Sequence, residues 1–299
     1  MFDQISPLYI ALTATLCFSY GSSIFTEFAR KVSPFWMNSF KAFIALFTFT
    51  ITVFAFGLWV TPKPLTLIAL LTSGCIGLMI GDIFMLKAMA ELGASRMLMI
   101  FGIQPFFLGL GGYILFGQSF SWTNVLGLVF MSLCLFTISL ENYKKSGHWQ
   151  ASGLIAGLIA ILLDGVGLFL TKFSFNHQTD ISPIEVNMIR CVGAIIGFFI
   201  IYYSKEKIQF QPTWTKFSKK EKMKIVVGSL FGTYISLMLY LTAISKGKLS
   251  VVPAVTITGP MFAEIFEIFK TRKLPNIYVV ISFIFFICGF YTFTLLSSQ

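Results

Sequence analysis

The stretch Val32-Ser33-Pro34-Phe35-Trp36-Met37-Asn38-Ser39-Phe40-Lys41 returns 149 residues later as Ile181-Ser182-Pro183-Ile184-Glu185-Val186-Asn187-Met188-Ile189-Arg190. In each copy a Ser-Pro pair opens an apolar run, an Asn follows the Pro by four residues, and a cation follows the Asn by three. Ser before Pro is a helix-start signature, and residues three apart share one helical face. A shift of 155 pairs Gly77 with Gly232, Ile80 with Ile235, Leu86 with Leu241, Ala88 with Ala243, Ser95 with Ser250 and Pro105 with Pro260. A third shift, of 144, lays Tyr20-Gly21 on Asp164-Gly165. All three correspondences keep one order along the chain. Two homologous halves are therefore expected, 1–146 and 147–299.

The surroundings of the repeat fix the solvent. The chain has 299 residues, 56% hydrophobic and 11% charged, with a mean hydropathy of +0.83. Soluble domains carry about 25% charged residues, so this composition belongs to a membrane protein. Ten apolar segments are expected as transmembrane helices, near 7–28, 34–60, 66–90, 95–116, 122–140, 151–173, 182–203, 225–246, 250–269 and 276–296. The expected fold is all-α and polytopic, ten spans as two five-helix repeats. Because five is odd, the second half enters the membrane the opposite way round. Inverted repeats mark transporters, with the binding site at the repeat interface near the midplane.

The residues resemble the drug/metabolite transporter superfamily, in its ten-span form with two EamA-type domains. The resemblance rests on S-P-x-x-x-N-x-x-[KR] opening the second and seventh helices and on Gly81-Asp82-Ile83-Phe84-Met85-Leu86-Lys87-Ala88-Met89-Ala90-Glu91-Leu92-Gly93-Ala94-Ser95-Arg96. The helices around Pro105 and Pro260 add to it. It implies transport and names no substrate. The acidic residue that often follows the family's fourth helix is missing here, where Phe116-Gly117-Gln118 stands.

Net charge is +10, and the basic residues flank apolar segments, which points to lipid headgroups rather than nucleic acid. Loops after odd-numbered helices hold Arg30, Lys31, Arg96, Lys144, Lys145, the lysines between 204 and 224, Lys270, Arg272 and Lys273; the other face holds Lys63, Lys172, Lys246 and Lys248. The positive-inside rule puts the first set in the cytoplasm and both termini outside. The resemblance implies termini inside; the charge count is the expectation carried forward, in a plasma membrane of bacterial inner-membrane type. The five cysteines all lie in apolar stretches without Cys-x-x-Cys or Cys/His clusters, so no disulfide frame, metal or other cofactor is expected. A monomer suffices, since ten spans in two halves enclose a cavity without a partner.

Charges inside spans are costly and mark function by default. Lys41 and Arg190 lead, each seven residues beyond its Pro and so about 10 Å deep. With Asn38 and Asn187 on the same faces they form candidate anchors for a carboxylate or phosphate. Asp82, Asp164 and Glu264 are candidate carboxylates for a proton or an ammonium. Gln104-Pro105 and Gly259-Pro260 are candidate helix breaks, since Pro frees a backbone carbonyl. Tyr20, Trp36, Tyr234 and Tyr240 are candidate cavity rings.

Both signs of charge at depth favour a secondary transporter of a small polar metabolite, an amino acid or related zwitterion, working by alternating access with proton coupling or exchange. An exporter of organic cations or amines is the alternative. A lipid-modifying enzyme is disfavoured because no G-x-S-x-G, H-E-x-x-H or paired-Asp motif lies in the spans. A channel would need a pore-lining ring, which the sequence does not show.

Overall fold

A computed structural model describes residues 5–118, 122–146, 150–204, 214–262, 265, 272 and 276–296. Among these the chain is helical, with no strand: α1 (Pro7–Ala29), α2 (Pro34–Ala55), α3 (Pro64–Leu92), α4 (94–116), α5 (Trp122–Ser146), α6 (Ala151–His177), α7 (Pro183–Ser204), α8 (Lys219–Lys246), α9 (Val252–Phe262) and α10 (Ile277–Leu296). Six of them, α1, α2, α3, α6, α7 and α8, are long and apolar enough to cross a membrane by length and composition. Phe101–Phe116, Trp122–Thr137, Val252–Phe262 and Ile277–Phe293 are shorter apolar helices. Three helices run well past their expected limits. α5 runs on to Ser146, α6 to His177, and α8 starts at Lys219, because Ser218 and Glu221 close a reciprocal cap at its N-terminus.

The repeated motif has a local cause. Ser33 Oγ accepts the Trp36 amide at 3.1 Å, Ser182 Oγ accepts the Glu185 amide at 3.1 Å, and Pro34 and Pro183 each begin the helix that follows. Each cap satisfies an N–H that the helix itself leaves unpaired. The two Asn residues tie second helices to third ones. Asn38 Nδ2 donates to the Leu78 and Met79 carbonyls, both at 2.9 Å, and Asn187 Nδ2 donates to Leu237 O at 3.0 Å and Pro183 O at 3.1 Å. Leu78 and Met79 belong to a π-helical stretch of α3, Gly74–Gly81, and α8 has its counterpart at Leu230–Ile235. A π-helical turn disturbs the regular ladder of carbonyls, and Asn38 takes up two of them.

The halves interleave. α1 lies against α8, α3 against α6, α2 against α7 and α5 against α10. Where α1 meets α8, a Cβ on Gly21 would fall 2.3 Å from Gly232 Cα; where α3 meets α6, a Cβ on Gly167 would fall 3.2 Å from Gly77 Cα. Gly77 and Gly232 correspond by the 155 shift, so Gly21 corresponds to Gly167. That corrects the 144 shift to 146 for the first helices. Asp164 then answers to Phe18 rather than Tyr20.

Two clasps join the halves at opposite ends of the bundle. At one end Lys31 Nζ bridges Glu27 at 3.1 Å and Glu221 at 3.0 Å, with Lys224 Nζ 3.7 Å from Glu27. At the other, Glu185 Oε1 accepts the Val60 amide at 3.0 Å and Gln178 Oε1 accepts the Lys63 amide at 2.8 Å. Glu185 is fully buried there. Lys172, counted with the loop cations in the sequence, is also buried: its Nζ donates to the Ile244 carbonyl at 2.9 Å and to Gly247 O at 3.2 Å, capping the C-terminus of α8.

Candidate functional site

A cavity of about 120 Å³, measured as space open to the centres of water-sized molecules, lies where the halves meet. A water needs roughly 10–15 Å³ on this measure, so the space holds a small organic solute. α1 contributes Ala14, Thr15 and Phe18; α2 contributes Lys41; α3 contributes Leu78, Asp82 and Met85. Phe101 and Gln104 come from α4 and Asp164 from α6. α8 supplies Gly232, Thr233, Ser236, Leu237 and Tyr240, and Thr256 and Ile257 come from the middle of α9, where its helix is interrupted.

The charges gather on one wall. Lys41 Nζ lies 2.5 Å from Asp82 Oδ2 and 5.4 Å from the centre of the Phe25 ring. Gln104 Nε2 donates to Asp164 Oδ2 at 2.6 Å. The Asp82 and Asp164 carboxylates therefore stand on the α3/α6 side, with Gln104 beside them. The α1/α8 side presents Phe18, Leu237, Thr233 and Ser236, and the Ser236 hydroxyl donates to the Gly232 carbonyl at 2.8 Å. In a medium of low dielectric the Lys41–Asp82 pair keeps both charges neutralised, which neither achieves alone.

Arg190 occupies a different place from the one expected. It is 1% exposed and does not line the cavity. Its Nε donates to Ser73 Oγ at 3.0 Å, and Ser73 Oγ lies 2.6 Å from Gly167 O and 2.9 Å from Thr171 Oγ1. The guanidinium Nη2 and Asp164 Oδ1 both lie within 4 Å of the space a Gly77 side chain would fill. Glycine there leaves room for guanidinium and carboxylate to attract one another behind the cavity wall. Arg190 is thus a bridge between α7, α3 and α6 rather than a wall residue.

Of the other expected site residues, Asp82, Asp164, Gln104, Lys41 and Tyr240 come together at the cavity. Asn38 and Asn187 do not reach it, because their amides are committed to backbone carbonyls. Tyr20 is 46% exposed on the outer face against Phe231. Trp36 is buried in an aromatic stack with Phe40, Trp214 and Phe217. Tyr234 turns to Phe49, its hydroxyl 2.7 Å from Thr52 Oγ1. Glu264 lies outside the described residues. A 3₁₀ turn at Phe101–Ile103 precedes Gln104-Pro105, and the helix is interrupted at 257–258 just before buried Pro260. Thr233 and Ser236 are cavity residues absent from the sequence expectations. With Tyr240 they stand at i, i+3 and i+7, a polar stripe inside an apolar helix that spacing reveals.

Helices of membrane-spanning length closing a charged cavity between two like halves define a membrane transporter. The chain belongs to the EamA-like transporter family, whose model matches residues 5–140 and again 151–295. An uncharacterized transporter of Archaeoglobus fulgidus is 20% identical over 282 residues, 92% of this chain and 95% of that one. A solved crystal structure shares the fold, with a TM-score of 0.76 over 97% of this chain and 96% of its own at 14% identity.

Proposed function

We propose that the protein is a ten-span secondary transporter built from inverted five-helix halves, 1–146 and 147–299, which moves a small zwitterion of amino-acid type by alternating access. The observation that carries this is the convergence of Lys41, Asp82, Asp164 and Gln104 on one wall of an otherwise largely uncharged cavity. Such a wall offers a cation to a carboxylate and carboxylates to an ammonium. The two clasps close the halves on either side of the cavity and are its gates. Burial of Lys172 leaves Lys63, Lys246 and Lys248 on the face opposite the basic loops. This supports a cytoplasmic basic face with both termini outside, in a bacterial inner membrane.

The test is a thermal-shift screen of the detergent-purified protein against amino acids, polyamines, quaternary amines, nucleobases and sugar phosphates. A ligand at about 100 times its dissociation constant adds roughly 2.7 kcal/mol. Stabilisation by amino acids supports the proposal; stabilisation by nucleobases or sugar phosphates alone overturns the substrate class. A second reading, transport of amines, draws on the two carboxylates that face the cavity against one lysine. It predicts stabilisation by polyamines or quaternary amines instead.

A further inference from the structure

The motif cations are equivalent in sequence and unequal in place. Lys41 and Arg190 correspond by the 149 shift, yet Lys41 lines the cavity and Arg190 stands behind it, held by Ser73. The acids break the two-fold relation as well. Asp82 answers to Leu237 by the 155 shift and Asp164 to Phe18 by the 146 shift, and all four residues face the cavity. The result is one acidic wall on α3 and α6, one uncharged wall on α1 and α8, and a lysine from α2 already paired across to the acidic side.

We propose that the Lys41–Asp82 ion pair holds the place of the substrate's own two charges, and that substrate binds by exchanging partners with it. The carboxylate of the solute takes Lys41, its ammonium takes Asp82 with Asp164 beside it, and its uncharged body lies against Phe18 and Leu237. This rests on the transport reading above and names the feature that selects the substrate. The selection is electrostatic. A bipolar solute trades one ion pair for two, so every charge stays neutralised through the exchange. A solute with a single charge opens the pair and leaves one partner alone in a low-dielectric cavity, which is strongly unfavourable. Arg190, held on Ser73 behind the wall, takes no part in the exchange.

The experiment compares three sets of probes on the full-length purified protein: leucine, methionine, threonine and phenylalanine, their methyl esters, which keep only the ammonium, and their N-acetyl derivatives, which keep only the carboxylate. In the wild type the free amino acids are expected to bind at least tenfold more tightly than either derivative set. Asp82→Asn releases Lys41, and the N-acetyl acids are expected to gain at least tenfold. Lys41→Met releases Asp82, and the esters are expected to gain at least tenfold. Equal binding of bipolar and singly charged probes by the wild type overturns the proposal, as does an unchanged order of preference in folded variants. Should either single variant fail to fold, Lys41→Met/Asp82→Asn carries no unpaired charge and keeps the test. It is expected to lose the bipolar preference at least tenfold, and retention of that preference overturns the exchange. Liposome transport of a solute of another class, with no probe binding, overturns the exchange and leaves transport standing. No transport of any solute overturns both.

Discussion

Gly21 and Gly232 meet backbone to backbone where α1 crosses α8, so close that a methyl group on Gly21 would sit 2.3 Å from the Gly232 Cα. Gly77 and Gly167 make the matching contact between α3 and α6. Membrane helices gain no hydrophobic drive from packing on one another, and small residues let them associate by close contact instead. Gly21→Ala can be accommodated only by moving one helix. The expected cost is about 1–3 kcal/mol, the usual range for overpacking. Thermal unfolding in detergent checks it, and an unchanged midpoint would show that the crossing is loose.

Lys172 binds α6 to the C-terminus of α8 through the Ile244 and Gly247 carbonyls. A cation at the end of a helix complements both the unpaired carbonyls and the helix dipole. Lys172→Met keeps the length of the side chain and removes the donor. Carbonyls left unsatisfied inside the bundle cost about 1–3 kcal/mol. Hydrogen exchange is expected to accelerate at the α8 C-terminus, and unchanged exchange there would contradict the assigned role.

Lys31 clasps α1 to α8 at the basic face. Hydrogen bonds to Glu221 and then to Glu27 raise its pKa above the ordinary 10.5. A cation whose pKa rises on folding stabilises the fold fully below the unfolded value and loses that contribution as pH climbs through the folded one. The difference in melting temperature between the wild type and Lys31→Met is therefore expected to stay constant from pH 6 to 9. It is then expected to shrink above about 10.5, the ordinary lysine value. The pair is exposed, so added salt should shrink the difference too. A difference that varies between pH 6 and 9 would place the controlling titration elsewhere.

Much of this architecture is written in the sequence. The Ser-Pro pairs declare where α2 and α7 begin, because a side-chain oxygen and a missing N–H leave a mark in residue types. The 155 shift of the third helices lays one π-helical stretch, Gly74–Gly81, over the other, Leu230–Ile235. The 144 shift of the first helices is two residues short, since the Tyr20-Gly21 and Asp164-Gly165 pairs look alike while the contacts are made by Gly21 and Gly167. Side-chain direction was hardest to read. In a soluble protein polarity separates outside from inside, but here Tyr20 on the outer face and Tyr240 at the cavity sit among equally apolar neighbours. The partner of Asp82 is not legible in the sequence, because only the packing of α2 on α3 brings Lys41 to it. Lys172 falls at the very end of its expected span, 151–173, and counts with the cations of that face until the extension of α6 to His177 places it inside the helix.

On the proposed mechanism the paired charges of Lys41 and Asp82 face a solute on its way between the two halves. Counterflow in liposomes holding the purified protein puts this to the test, with unlabelled amino acids inside and a labelled mixture of the same amino acids outside. The wild type is expected to accumulate label transiently, and Lys41→Met/Asp82→Asn is expected to match protein-free liposomes while retaining its fold by circular dichroism. Equal accumulation by the wild type and the double variant would contradict the account.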